Sequence, residues 1–243
     1  MSSAEIISLI PLTGIGEVTP GADLAAMVVG ALSPAYPSGP ALEPGDVLVI
    51  TQKAVSKAEG RLVAIDANDP AAKVALVEQE SVRIVRRRGE LIISETSHGF
   101  ICANAGIDLS NVDHGTAALL PEDADRSARG LRAAVRNLTG VDIAVIISDT
   151  FGRPWRQGVT DVAIGCAGVA AVIDLKGTLD ANGRVLVATE ICVADELASA
   201  AELVMGKDRG VPAAIVRGVP ASWLRPSSVQ TEIVRPASED LFR

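Results

Sequence analysis

The chain has 243 residues, with 30 acidic against 22 basic side chains and a formal net charge of −8. That balance creates no general field for polyanions, and an aromatic content of 2% counts against a nucleic-acid surface built on base stacking. Apolar residues make up 48%, enough for a sizeable core, and that core must be drawn mostly from Val, Ile, Leu and Ala.

In chain order, Ile6 to Pro11 reads as a short strand and Gly14 to Val18 as a turn. Ala22 to Leu32 is apolar at helical spacing, and a Pro/Gly-rich loop runs from Pro34 to Gly45. Asp46 to Thr51 (DVLVIT) is a buried strand by its β-branched content. Ala71 to Arg88 is expected to be one helix, with Val74, Val77, Ile84 and Val85 inward and Arg86, Arg87 and Arg88 suiting its C-terminal dipole. Leu91 to Ser94 and Phe100 to Ala103 are strand-like, and Asp123 to Leu138 is helical. Ile143 to Ser148 (IAVIIS) is the clearest buried strand. Val162 to Leu175 fits a strand or a buried helix. Val185 to Ala188 reads as a strand, Asp195 to Met205 as a helix, Ala213 to Val216 as a strand, and the tail from Ser222 as peripheral.

Strands and helices mix without strict βαβ alternation. The expected class is therefore α+β with mixed β-sheets, residues 1–243 forming a single domain whose Pro/Gly loops permit two subdomains. Cys102, Cys166 and Cys192 are widely spaced, form no CxxC pair and sit in apolar runs, as buried thiols in a reducing compartment do. The N-terminus lacks a basic start, and no apolar run approaches the ~18 residues of a membrane span. A cytoplasmic protein with no membrane and no nucleic-acid partner is expected.

Familiar nucleotide motifs are missing. Gly206-Lys207 is followed by Asp208 with no glycine placed for a P-loop, and Gly14-Ile15-Gly16 has Thr19 where a dinucleotide fingerprint needs its third glycine. Four other constellations could carry chemistry. Asp108, Ser110 and Asn111 crowd hard oxygens into four residues, either a Mg²⁺ or Mn²⁺ site or a self-stabilised Asx turn. Asp149 and Thr150 close a buried strand beside Arg153 and Arg156, either a phosphate-handling cluster or a helix start capped by Asp149. Lys53, Lys57 and Arg61 are triphosphate ligands or a basic loop. Asp195 and Glu196, followed by Gly206 to Gly210, are a helix start and a basic loop with weaker claims.

The strings GDVLVITQKAVSKAEGR, NAGIDLSNV, ISDTFGRPWRQGVTDVAIGCAG, VADELASAAELVMGK and VPAAIVRG, in this order, resemble the coenzyme F420-0:L-glutamate ligase family from about Ile7 to Gly218. The family also forms the N-terminal part of a two-domain actinobacterial enzyme, whose nitroreductase-like flavin domain is not expected here. The resemblance implies two α+β subdomains in an intertwined homodimer. It implies GTP as co-substrate, two divalent cations (Mg²⁺ or Mn²⁺, with K⁺ a further candidate), and addition of L-glutamate to F420-0, the number of glutamates left open. By position it makes Asp108, Asp149 and Thr150 metal ligands. It makes Ile15, Gly16, Glu17, Val18, Gln52, Lys53, Lys57, Asn111, Gly206, Lys207, Asp208, Arg209, Gly210 and Val211 nucleotide contacts. The 206–211 loop is about one residue shorter than in archaeal members.

An acyl-phosphate route then asks for charge stabilisation and positioning, with Asp149, Arg153 and Arg156 as catalytic residues and Glu190 as one candidate to take the amine proton. An amide ligase with another acceptor and a non-catalytic deazaflavin or nucleotide binder are the competing readings.

Overall fold

The computed structural model of the chain describes residues 6–32, 41–66 and 68–241; part of the expected Pro34–Gly45 loop lies outside them. The chain opens with β1 (Ser8–Pro11), α1 (Leu24–Ala31), β2 (Val47–Thr51), α2 (Gln52–Ala58) and β3 (Leu62–Ala64). It continues through α3 (Pro70–Gln79), β4 (Ser81–Arg88), β5 (Leu91–Thr96), β6 (Ile101–Ala103), β7 (Thr116–Ala118) and α4 (Ala124–Thr139). The long strands β8 (Ala144–Arg153) and β9 (Arg156–Ala167) follow, then β10 (Ile173–Asp174), β11 (Glu190–Ile191), α5 (Val193–Met205), β12 (Ala213–Arg217) and α6 (Val229–Glu232). The class is α+β, as expected.

The central sheet has the order β1-β12-β2-β8-β9 and is antiparallel except where β2 runs parallel to β8. Its middle strands are buried on both faces, which explains why VLVI and AVII are continuous apolar runs rather than alternating ones. Leu48, Ile50, Val145 and Ile147 face one core, completed by Val28 of α1 and Ala128, Leu131 and Val135 of α4. Val47, Val49, Ala144 and Ile146 face the other, completed by Ala194, Leu197, Ala201 and Met205 of α5. Each fully buried Ile contributes roughly 1.5–3 kcal/mol, so the middle of the sheet is a rigid platform.

The helices that seal it have definite ends. Asp123 caps α4 by accepting the Arg126 N–H at 2.8 Å, and Gly140 stops the helix at φ 74°, a left-handed position that costs glycine little. A separate sheet β4-β5-β6 and the pairs β3-β7 and β10-β11 complete the described strands, with a small third core of Val77, Ile92 and Ala105.

Three expectations are corrected. The helix expected over Ala71–Arg88 stops at Gln79, and Ser81–Arg88 is strand β4, paired antiparallel with β5. Val82, Ile84 and Val85 are β-branched, and Gly89 (φ 60°) lets the chain reverse into β5, so pairing overrides the helical spacing. Val74 and Val77 do pack inward, but Ile84 and Val85 are exposed. Val185–Ala188 is not a strand: Val185 makes only an isolated bridge to Leu179, and the nearby pairing is β10 with β11. The tail is not peripheral, because Val229 is fully buried in the α5-side core.

Asp125 holds that tail. Its buried carboxylate accepts N–H groups from Cys166 at 2.8 Å, Val229 at 2.9 Å and Gln230 at 3.1 Å, joining α4, β9 and α6. Removing it leaves buried donors unpaired, at ~1–3 kcal/mol for such a group. Asp125→Ala is expected to lower the unfolding free energy by about 3 kcal/mol in urea titration; a change under ~0.5 kcal/mol would show that the tail is held by packing alone.

Candidate active site

β2 and β8 run parallel, so their C-terminal ends lie at the same edge of the sheet, where open sheets gather ligands. A cavity of about 660 Å³ opens there. Its walls come from five places: the turn Ile15–Val18; Thr51, Gln52, Lys53, Ala54 and Lys57 at the β2–α2 junction; Asp108, Ser110 and Asn111 after β6; Ser148, Asp149, Thr150 and Val159 of the β8–β9 hairpin; and Glu202 of α5 with most of the loop Gly206–Pro212. Segments almost two hundred residues apart in sequence therefore meet at one opening.

Asp108 is presented by a tightly wound turn. Asn104, Ala105 and Gly106 all adopt positive φ, at 51°, 54° and 71°, a conformation that an alanine holds only under some strain. Within the turn, the Asn104 side chain accepts the Ile92 N–H at 3.0 Å. Asp108 Oδ1 accepts both the N–H and the hydroxyl of Ser110 at 2.7 Å, and Lys53 Nζ lies 2.8 Å from Oδ2. Burial pushes the Asp108 carboxyl up, but Lys53 and the two Ser110 donors outweigh it and hold it below the ordinary carboxylate range.

Asp149 is in the opposite condition. It accepts the Thr150 N–H at 2.8 Å and, among the described residues, makes no ion pair. Burial drives its carboxyl up to about 7, helped by the charges of Asp108 and Asp161 and opposed by the Thr150 N–H and Lys207. Asp161, 1% exposed on β9, is paired in register with Thr150 and accepts a hydrogen bond from its hydroxyl at 2.6 Å. It also accepts from Ser148 Oγ at 3.0 Å and from Lys207 Nζ at 3.1 Å.

Most of the sequence-derived site residues are thus brought together. Gln52 lines the cavity, but its amide nitrogen is committed to Ser56 Oγ and the Leu119 carbonyl. Lys57 reaches the Glu17 carboxylate across the cavity mouth. Arg153 and Arg156 are not brought in: they are exposed at the tip of the β8–β9 hairpin and do not line the cavity. Asp149 does not cap a helix, because β8 continues four residues past it into that hairpin. Arg209 does not line the cavity either, although Lys207, Asp208 and Gly210 do. Glu190 lies on β11, paired with Lys176 at 2.7 Å, and is not part of the wall.

Sequence reasoning missed Asp161 and Glu202. Asp161 follows once the hairpin is known, since the register sets it opposite Thr150, and Glu202 follows from the face of α5 that lines the cavity. Asp108 and Asp149 form a pair and not a triad: among the described residues no cluster of three His, Cys, Asp or Glu surrounds one point. Two carboxylates completed by substrate phosphates are the usual protein share of a Mg²⁺ site, and an acid without a counter-ion beside a second acid fits such an ion.

Paired acids, facing lysines and a glycine-flanked loop at a sheet edge define the class: an α+β protein whose cleft carries the oxygen donors and cationic side chains that phosphate chemistry uses. The comparisons make this particular. Residues 14–218 match the family described as F420-0:Gamma-glutamyl ligase. The coenzyme F420:L-glutamate ligase of Methanothermobacter thermautotrophicus is 44% identical over 98% of this chain and 99% of its own length. The ligase of the same name from Methanopyrus kandleri is 44% identical over 93% of this chain and 94% of its own, and that of Methanocaldococcus jannaschii 39% identical over 83% and 86%. The chain belongs to the F420-0:gamma-glutamyl ligase family.

The state of Asp149 has a measurable consequence. Its folded pKa, about 7, lies above its ordinary 3.8, so the native chain holds an extra proton between these values. Stability of the cation-free protein must then fall as pH rises from about 4 through 7. In EDTA, Asp149→Asn is expected to be more stable than the wild type at pH 8 by roughly 1–3 kcal/mol. The gap should close as pH falls towards 4. Equal melting of the two proteins at pH 8 would show that burial does not raise the Asp149 carboxyl.

Proposed function

We propose that this chain joins L-glutamate to F420-0 through an amide bond at the expense of GTP, by way of an acyl phosphate. The observation that carries the reading is the convergence of Asp108 and Asp149 with Lys53, Lys57 and the Gly206–Pro212 loop in one cavity, in a chain that belongs to this ligase family.

In the first step a carboxylate oxygen of the acceptor attacks the γ-phosphorus. An acyl O–P bond forms, the bond to the bridging oxygen breaks, and GDP leaves. In the second step the glutamate amine attacks the acyl carbon. A C–N bond forms, the C–O bond breaks, phosphate departs, and the nitrogen gives up its extra protons. Negative charge gathers on phosphate oxygens in both steps, so positioning and fixed positive charge supply most of the acceleration.

Asp108 and Asp149 would hold a divalent cation, Mg²⁺ or Mn²⁺, which when bound neutralises phosphate oxygens. Lys53 and Lys57 stand on one side of the cavity and Lys207 on the other, each able to turn from its carboxylate partner to a phosphate. The turn Ile15–Val18 and Asn111 complete the nucleotide wall. The chain is also read as a homodimer. β4 is an edge strand with Val82, Ile84 and Val85 exposed, and such an edge favours cover by a second copy.

Mass spectrometry of a reaction containing F420-0, L-glutamate, GTP and Mn²⁺ tests the reading. A glutamyl increment in step with GDP release is expected. Asp149→Ala should remove turnover by at least ~10³-fold with an unchanged circular dichroism spectrum, and Lys53→Ala should lower it by ~10–100-fold. Full turnover in folded Asp149→Ala, or a glutamyl increment with no nucleotide consumed, contradicts it.

A further inference from the structure

The β8–β9 hairpin does not stop at the cavity. In its outer part Val159 lines the wall, while Gly152, Arg153, Trp155 and Arg156 lie beyond it. Arg153 stands four residues past Asp149 along β8, about 13 Å at ~3.3 Å per residue. The hairpin end therefore projects past the cavity mouth from the strand that carries Asp149.

Three features of this projection are not demanded by folding. The first is Gly152. Its φ is not positive, and a Cβ added there would meet nothing within 4 Å. Neither turn geometry nor packing asks for a glycine, and glycine weakens a strand. Such a residue marks a place where a ligand comes close to the backbone. The second is the apolar surface beside it. Val159, paired with Gly152 in register, is 63% exposed, and Trp155 at the turn is 85% exposed with a φ of 57°. The third is charge. Arg153 and Arg156 are paired in register across the turn and are both exposed. Neither makes an ion pair among the described residues, in a chain that carries 30 acids.

A cavity of about 660 Å³ suits one ligand of nucleotide size. With the nucleotide in place, the acceptor can bring in its reacting carboxylate, and the rest of it must lie outside. A deazaflavin acceptor is a flat conjugated ring joined to a phosphodiester chain. It asks for an apolar face and for fixed positive charge, and the hairpin end offers both within reach of Asp149.

We propose that the hairpin end Gly152–Val159 is the acceptor subsite. The acceptor chain lies over the open backbone at Gly152, against Val159. Arg153 and Arg156 pair with its phosphodiester, and Trp155 gives the ring a stacking face. These residues set affinity for the acceptor and take no part in holding the nucleotide. This rests on the ligase reading of the cavity.

Equilibrium dialysis of F420-0 against the full-length protein, with Mn²⁺ and a saturating non-hydrolysable GTP analogue, tests it without turnover. Binding of the analogue and thermal melting are measured in parallel. The double variant Arg153→Gln, Arg156→Gln is expected to weaken F420-0 binding by ~100-fold. Trp155→Ala should weaken it by ~10-fold, with most of the loss restored in Trp155→Phe. Every variant should melt as the wild type does and bind the analogue equally well. In turnover, KM for F420-0 should rise while KM for GTP holds. Wild-type affinity for F420-0 in the folded double variant and in Trp155→Ala, or loss of analogue binding along with it, overturns the inference and leaves the ligase reading intact. Folded wild type that binds no F420-0 overturns both.

Discussion

Three carboxylates, Asp108, Asp149 and Asp161, are held close enough for their charges to act on one another, and the organisation of the site follows from that repulsion. Each acid meets it differently. Asp108 is neutralised by Lys53 and by its own Ser110 turn, Asp161 by Lys207 and two hydroxyls, and Asp149, which makes no ion pair among the described residues, by one backbone N–H and the more distant charge of Lys207. An ordinary surface would let such acids separate. Here β8 and β9 hold two of them in fixed register, and a turn of positive-φ residues holds the third.

That fixity is supplied by the sheet beneath. β2, β8 and β12 carry apolar side chains on both faces, packed against α1 and α4 on one side and α5 on the other. Moving Asp149 by an ångström would mean shearing a platform whose central isoleucines and valines are wholly buried. The Gly206–Pro212 loop at the rim carries less of this packing, with residues 207–210 exposed, so in the proposed reading Lys207 is the cation best able to shift from carboxylate to phosphate. Rigid acids with movable cations suit chemistry in which charge migrates from one phosphate to the next.

Much of this was legible in the sequence where local pattern and tertiary environment agree. DVLVIT and IAVIIS are strands because their β-branched runs are buried on both faces, and Asp149 stands out as the acid at the end of one. Where they disagree, the pattern misled. Residues 81–88 have helical spacing but pair with β5, and Arg153 and Arg156 follow Asp149 closely while the hairpin carries them out to its exposed tip. Asp161 and Glu202 were not legible, because each enters the site through register or helix face and not through any local motif. Lys207 was picked out as a phosphate ligand; its contact with Thr150 and Asp161 joins segments more than forty residues apart and could not be read from spacing.

The central claim is that this cavity activates a carboxylate by phosphorylating it before the amine arrives. Isotope transfer tests that most directly, with F420-0 carrying ¹⁸O in the carboxylate that accepts glutamate and the released phosphate analysed by mass spectrometry. The account predicts one ¹⁸O atom in each phosphate formed with product, since the attacking oxygen stays on phosphorus when the C–O bond breaks. Phosphate free of the label, with labelled oxygen still in the amide, would contradict it.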